Sequence, residues 1–305
     1  MTDERSCPVC GTPAAAAKLF LEENIDSARL SAFSFASRKQ PEFMCHRLVQ
    51  CQACDLVYVP QPPGQDELAA AYHSADYDSN EEGNDAAAAY LQAIRPVLDR
   101  LPRRGRALEI GTGTAVFLEL LKHSGFDDVV GVEPSQAAIA VAPAHRRPWI
   151  REGIFDEADF ELASFDLICC FMTMEHVADP GQIAASAMRL LRPGGAFVTV
   201  THDYRSPVNR LLGRRSPIID IEHMQLFSER SIGVLFRNRG YSDVSVRKFA
   251  NLYALRYWLR LTPLPRALKA GLAATLARLG LADRKLAFNV GNSIAAGYRP
   301  SPGPV

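Results

Sequence analysis

From residue 106 onward the chain alternates apolar runs of strand length with stretches whose apolar positions recur at helical spacing. RALEIG (106–111) predicts a buried strand and AVFLELLKH (115–123) a helix. DVVGVE (128–133) predicts the next strand, with a helix opening at PSQAAIAVA. PWIRE (148–152) predicts a short third strand and FDLICCF (165–171) a fourth. PGQIAASAMRLLRPGG (180–195) predicts a helix closed by Pro-Gly-Gly, and AFVTVTH (196–202) a fifth strand. SERSIGVLFRNRGY (228–241) predicts a helix with Ser228 as its N-cap and Gly240 at its end. Strands follow in SDVSVRKFA and AFNVGNSIAAGYR. Such alternation implies a mainly parallel α/β sheet covered on both faces, with its ligand at the carboxyl ends of the strands.

The first 60 or so residues lack this patterning, and PQPPGQ (60–65) reads as a rigid boundary because proline ends both helix and ladder bonding. Residues 66–101 predict two helical pieces interrupted around HSADYDSNEEGN. The expected organisation is a cysteine module over 1–62, a helical segment over 63–104 and an α/β domain over 105–300.

Composition narrows the classes. The 305 residues carry 34 Lys+Arg against 34 Asp+Glu, so the balance gives no global reason to bind nucleic acid. With 48% hydrophobic residues the chain has the material for a core and is not of the disordered type. No stretch approaches the roughly 18 uninterrupted apolar residues of a membrane span, and MTDERSCPVC has no signal-like apolar core, so a cytoplasmic location is expected.

The 7 cysteines include two C-x-x-C pairs, Cys7/Cys10 and Cys51/Cys54. Four thiolates on two knuckles suffice to close a tetrahedral structural zinc site. Cys169 and Cys170 lie in an apolar strand and read as core, with Cys45 a neighbour of the second pair.

LEIGTGTAVF (108–117) is a strand, a glycine turn and a helix start. Gly111 and Gly113 allow close backbone approach, and the helix supplies free N–H groups. Two residues argue against a dinucleotide: Val116 stands where a third glycine would be, and Glu109 would repel a pyrophosphate. A ligand with an ammonium and a sulfonium would be attracted instead. Glu133 ends the next strand, where a carboxylate can accept from ribose hydroxyls.

With these residues the chain resembles the class I S-adenosylmethionine (SAM) dependent methyltransferases over about residues 66–300. The resemblance rests on Glu109, Gly111 and Gly113, on Glu133, on FDLICCFMTMEHVADP, on LLRPGGAFVTV and on the late His223…Phe227-Ser228 motif. Ala115 stands at the family's third glycine. The resemblance implies a Rossmann-like seven-stranded sheet of order 3-2-1-4-5-7-6. It further implies a SAM site in which Glu109, Gly111, Thr112 and Gly113 meet the methionyl part and Glu133 the ribose. Ile154 and Phe155 would flank the adenine and Phe171 and Met172 the methyl side, with Tyr72 and Tyr77 closing over the cofactor. LVQCQACDLVYVPQPPGQDELAAAY is similar to the zinc ribbon that precedes a bacterial methyltransferase group found among sugar, polysaccharide and natural-product genes.

Methyl transfer to a hydroxyl or acidic carbon gains from a positioned base, for which His176, His202 and His223 follow strand ends. Glu175-His176 also resembles part of the E-x-x-E-H set of metal-assisted ubiquinone-pathway enzymes, but Met172 occupies the first acid position, so no second metal site is expected. Residues 251–285 form a helical insertion with seven basic residues against the single Asp283, read as a lid with water-facing charges, with peripheral membrane contact as the rival. The reading is methyl transfer to a small-molecule or glycan-type acceptor, O-methylation before C- or N-methylation. The alternatives are an RNA methyltransferase gripping RNA through the ribbon and a non-catalytic SAM-binding scaffold.

Overall fold

The computed structural model describes residues 4–31, 33–36, 42–77, 80–262 and 264–301. Among the described residues, eleven strands form two sheets. The larger holds β4 (Arg106–Ile110), β5 (Asp128–Glu133), β6 (Ile150–Glu152), β7 (Phe165–Phe171), β8 (Leu191–His202), β10 (Ser242–Ala254) and β11 (Lys285–Tyr298). Its order is β10-β11-β8-β7-β4-β5-β6, with β11 antiparallel to β8 and β10, and the other neighbours parallel. Numbered within the domain this is 3-2-1-4-5-7-6, as the resemblance implies.

All seven residues of β7 are buried, which is why its pattern is continuous rather than alternating. Cys169 and Cys170, both fully buried, point into the two different cores on either side of the sheet. One core packs α2 (Asn80–Leu98) and α3 (Val116–His123) on the sheet; the other packs α5 (Pro180–Leu190) and α7 (Glu229–Asn238).

Ser228 caps α7 and exchanges side-chain bonds with Ser231 in a capping box. The helix expected over 180–195 ends five residues early. Leu191 already pairs with Phe165, and Gly194 takes φ 78°. Pro193 has no N–H with which to continue the helix, so the segment runs on as irregular strand.

The smaller sheet, β1 (Ala17–Leu21), β2 (Leu48–Cys51), β3 (Val57–Tyr58) and β9 (Gln225–Leu226), takes its last strand from the α/β region. Val9, Cys51, Leu56 and Tyr58 share a core with Phe197, Ile232 and Phe236. The N-terminal module is therefore built into the main body. Two helices, α8 (Leu255–Leu261) and α9 (Arg266–Arg278), are inserted between β10 and β11. Tyr257 of α8 is buried, while α9 buries no residue. No helix among the described residues is long and apolar enough to cross a membrane.

Candidate functional site

The carboxyl ends of β4, β5, β7 and β8 open on one cleft of about 1590 Å³, larger than the few hundred to a thousand Å³ of a typical single-ligand pocket. At its base the glycine turn is tied to β5, since the Gly111 and Thr112 N–H groups both donate to the Val132 carbonyl at 2.9 and 3.1 Å. Gly111 adopts φ 78°, and an added Cβ would lie 2.3 Å from Thr173 Oγ1, so only glycine fits there. Ala115 holds the left-handed conformation at φ 57°, a position where the backbone favours glycine.

Two buried carboxyl groups face this turn. Glu109 accepts from Thr112 Oγ1, and burial pushes its carboxyl up to about 8, opposed by that hydrogen bond and reinforced by the charge of Glu133. Glu133 accepts from the N–H of Gly113 at 2.7 Å and of Ser135 at 2.9 Å. Burial raises its pKa and those two bonds oppose the rise. A buried carboxyl whose proton is retained by desolvation regains its charge when a cation arrives, so the cradle suits an ammonium and hydroxyl donors.

Ile154, Phe155, Phe171 and Met172 all line the cleft. Phe155 stacks on Phe160 at 6.1 Å, and Phe171 packs on Tyr90 and Phe117 at 4.7 and 4.9 Å, so both rings also serve the core. Met172 is a left-handed residue at φ 52°, the kind of local strain that clusters at functional positions. Tyr77 lines the cleft as well. Tyr72 has a different part: its hydroxyl donates to the Glu222 carbonyl at 3.2 Å and lies 3.0 Å from His176 Nδ1.

The three histidines expected from separate loops come together. The rings of His176 and His223 lie 4.8 Å apart, and those of His202 and His223 5.9 Å. His202 Nδ1 sits 2.9 Å from Asn292 Oδ1, and His223 Nδ1 2.9 Å from the Ile218 carbonyl. Because a carbonyl oxygen only accepts, these bonds assign the proton to Nδ1 and the lone pair to Nε2. Behind them, Glu175 accepts from the His202 N–H at 2.6 Å, and burial pushes its carboxyl up to about 7.

The four module cysteines also converge. Their Sγ atoms lie within 4.8 Å of one another, with Cys7–Cys54 at 3.6 Å and Cys10–Cys51 at 3.5 Å. Thiolates on one tetrahedral ion with bonds of about 2.3 Å stand about 3.8 Å apart, so the donor set and spacing fit zinc. Each knuckle ends in a left-handed residue, Gly11 at φ 74° and Asp55 at φ 71°. The second knuckle is fastened to the loop after His202: Tyr204 donates to the Asp55 carbonyl at 2.8 Å, and Arg205 pairs with the Asp55 carboxylate at 2.5 Å.

Several lining residues carried no sequence signal. Asn292 lies 90 positions from His202, and Phe35 enters from the cysteine module. Tyr257, Trp258 and Phe288 come from the insertion and its flanking strand. Glu222 could have been found, since it stands beside His223 in the late motif.

A family profile described as a methyltransferase domain matches residues 82–246, just over half of the chain. A ubiquinone biosynthesis O-methyltransferase of Hahella chejuensis is 29% identical over 137 residues, 40% of this chain and 57% of that protein. The protein of the same name from Paraburkholderia phymatum is 31% identical over 119 residues, 35% of this chain and 50% of its own. The chain thus spans about half the length of the curated relatives it matches. Among solved structures, a SAM-dependent methyltransferase from Archaeoglobus fulgidus is similar with a TM-score of 0.48 and 13% identity, over 70% of this chain and 94% of that one. The YcgJ protein of Bacillus subtilis is similar with a TM-score of 0.47 and 17% identity, over 69% and 99%.

Proposed function

Given that this chain belongs to the methyltransferase-domain family, matched over residues 82–246, we propose that it transfers a methyl group from SAM to a hydroxyl of a small-molecule acceptor, glycan-type acceptors included. One observation carries the reading: a glycine turn between two buried carboxyls opens into the same cleft as three histidines, of which His202 and His223 have assigned Nε2 lone pairs. SAM supplies a methyl group activated by a sulfonium. Glu109 would face the ammonium, Gly111, Thr112 and Gly113 the methionyl chain, Glu133 the ribose hydroxyls, and Ile154 and Phe155 the adenine. Phe171 and Met172 would border the methyl side.

The acceptor end is aromatic and amide-rich, with Tyr253, Trp258, Phe288, Asn209 and Asn292. Aromatic faces with amide hydrogen bonders suit a ring bearing hydroxyls. There an imidazole Nε2 would take the acceptor hydroxyl's proton, while bound SAM would supply the methyl group with its thioether as leaving group, and positioning supplies much of the acceleration. His202 is the base we assign first, because Asn292 and the Glu175–amide bond fix both its ring and its backbone.

The cysteine centre would hold a structural zinc, since four thiolates leave no open position. Incubating methyl-labelled SAM with metabolite fractions, followed by mass analysis, tests the reading. Label in a hydroxyl-derived ether supports it; label only on nitrogen or carbon, or none, overturns the O-methyl assignment.

A further inference from the structure

We propose a second metal site: a divalent cation held by His176, Glu222 and His223 in the acceptor end of the cleft, which selects acceptors offering two neighbouring oxygens. One ligand atom from each of these residues lies within 4.8 Å of the other two. Around a shared ion with bonds of about 2.1 Å such atoms stand about 3–3.5 Å apart, so a modest closure of half-buried His176 and Glu222 suffices.

The surroundings supply an independent argument. Metal-bound histidines typically donate their other ring N–H to an oxygen, which fixes the tautomer and aims the lone pair. His223 Nδ1 does so to the Ile218 carbonyl at 2.9 Å. The Glu222 carbonyl faces Tyr72 Oη at 3.2 Å and His176 Nδ1 at 3.3 Å. Protonation of Nδ1 satisfies that carbonyl from both sides and leaves Nε2 of His176 as the ligand nitrogen. Two imidazoles and one carboxylate from a chain segment and a loop 46 residues apart thus converge with their supports in place.

This set differs from an E-x-x-E-H arrangement. Met172 holds the first acid position, and Glu175 turns away to the His202 N–H. Three protein ligands leave coordination positions open, in contrast to the four-thiolate centre. An acceptor with vicinal hydroxyls, or a hydroxyl beside a carbonyl, fills two of them, and the cation favours loss of the hydroxyl proton to His202 or water. This acceptor class rests on the methyl-transfer reading, whereas the metal site stands on geometry alone.

The test uses the full chain with its cysteine centre filled by zinc, titrated with Mn(II) and separately with Co(II). Mn(II) is followed by loss of the free-ion electron paramagnetic resonance signal and Co(II) by its visible bands. Thiolates disfavour Mn(II), so that titration reports on nitrogen and oxygen ligands. The expected result is one added ion per chain, with affinity at least 10-fold weaker in His223→Ala and in Glu222→Gln. His145→Ala, which alters a histidine bonded to Glu119 outside the cleft, leaves it unchanged. Retained SAM binding by the two variants shows that they fold. Absence of a second ion with both metals, or an affinity indifferent to both substitutions, overturns the site. SAM binding without a second ion leaves the methyltransferase reading standing; a second ion without SAM binding upholds the site and overturns that reading.

Discussion

At the scale of single residues, the carboxyls of the cradle govern the response to a cationic ligand. With its pKa at about 8 in the ligand-free protein, Glu109 holds a proton at neutral pH that a cationic ligand must displace. SAM affinity should therefore strengthen as pH rises from 6 to 8, by up to about tenfold per unit below that pKa, and level off above it. Calorimetry in buffers of different ionisation enthalpy reads the released proton. Glu109→Gln should abolish both the pH slope and the release. Gly111→Ala forces a Cβ against Thr173 at a backbone angle suited to glycine, and SAM affinity should fall more than tenfold in an equilibrium titration. These positions were legible in the sequence because a glycine turn and a strand-end acid sit at short, fixed separations. Asn292 was not, because its meeting with His202 depends on the pairing of β8 with β11, which no local pattern encodes.

At the scale of elements, the cysteine module and the loop after His202 behave as one unit. Tyr204 and Arg205 bind the second knuckle, and Arg230 of α7 donates to the Ala53 carbonyl at 2.6 Å. Stripping the zinc proposed for the four cysteines with a chelator should loosen that loop. The acceptor KM should rise severalfold while SAM affinity holds, since the glycine turn lies on other elements. In α7, loss of the Ser228 capping box in Ser228→Ala should cost about 1 kcal/mol in chemical denaturation. The strand and helix pattern was readable because each element is buried with its own period. The end of α5 was misplaced, because Pro193 and Gly194 mark a stop several residues after the helix has already yielded to pairing with β7. The insertion was read as a lid packing on its own domain. In the structure α8 does this through Tyr257 and Trp258, which pack on the core with α2 and α3, while α9 has no buried residue.

At the scale of the whole molecule, the buried acids Glu109, Glu133 and Glu175, all raised by burial, contribute to the response of the ligand-free protein to pH. Glu109 and Glu175 have native pKa values of about 8 and 7, above the ordinary 4.5. Between those values the native state binds more protons than the unfolded state, so their stabilisation is complete below about pH 4.5 and is lost as pH rises to 7–8. The melting temperature should accordingly fall across pH 5–8. Glu175→Gln should flatten the portion below 7. The overall sheet order was foreseeable once the motifs pointed to one topology. The joining of the N-terminal module to the main body through β9 was not, because Gln225–Leu226 is only two residues long. The central claim is that the cleft between Glu109 and Glu133 is a SAM site, and isothermal titration of SAM into the wild type and Glu133→Ala tests it most directly. One SAM per chain is expected in the wild type, with at least a tenfold loss of affinity in the variant. No binding by the wild type, or equal binding by both, would contradict it.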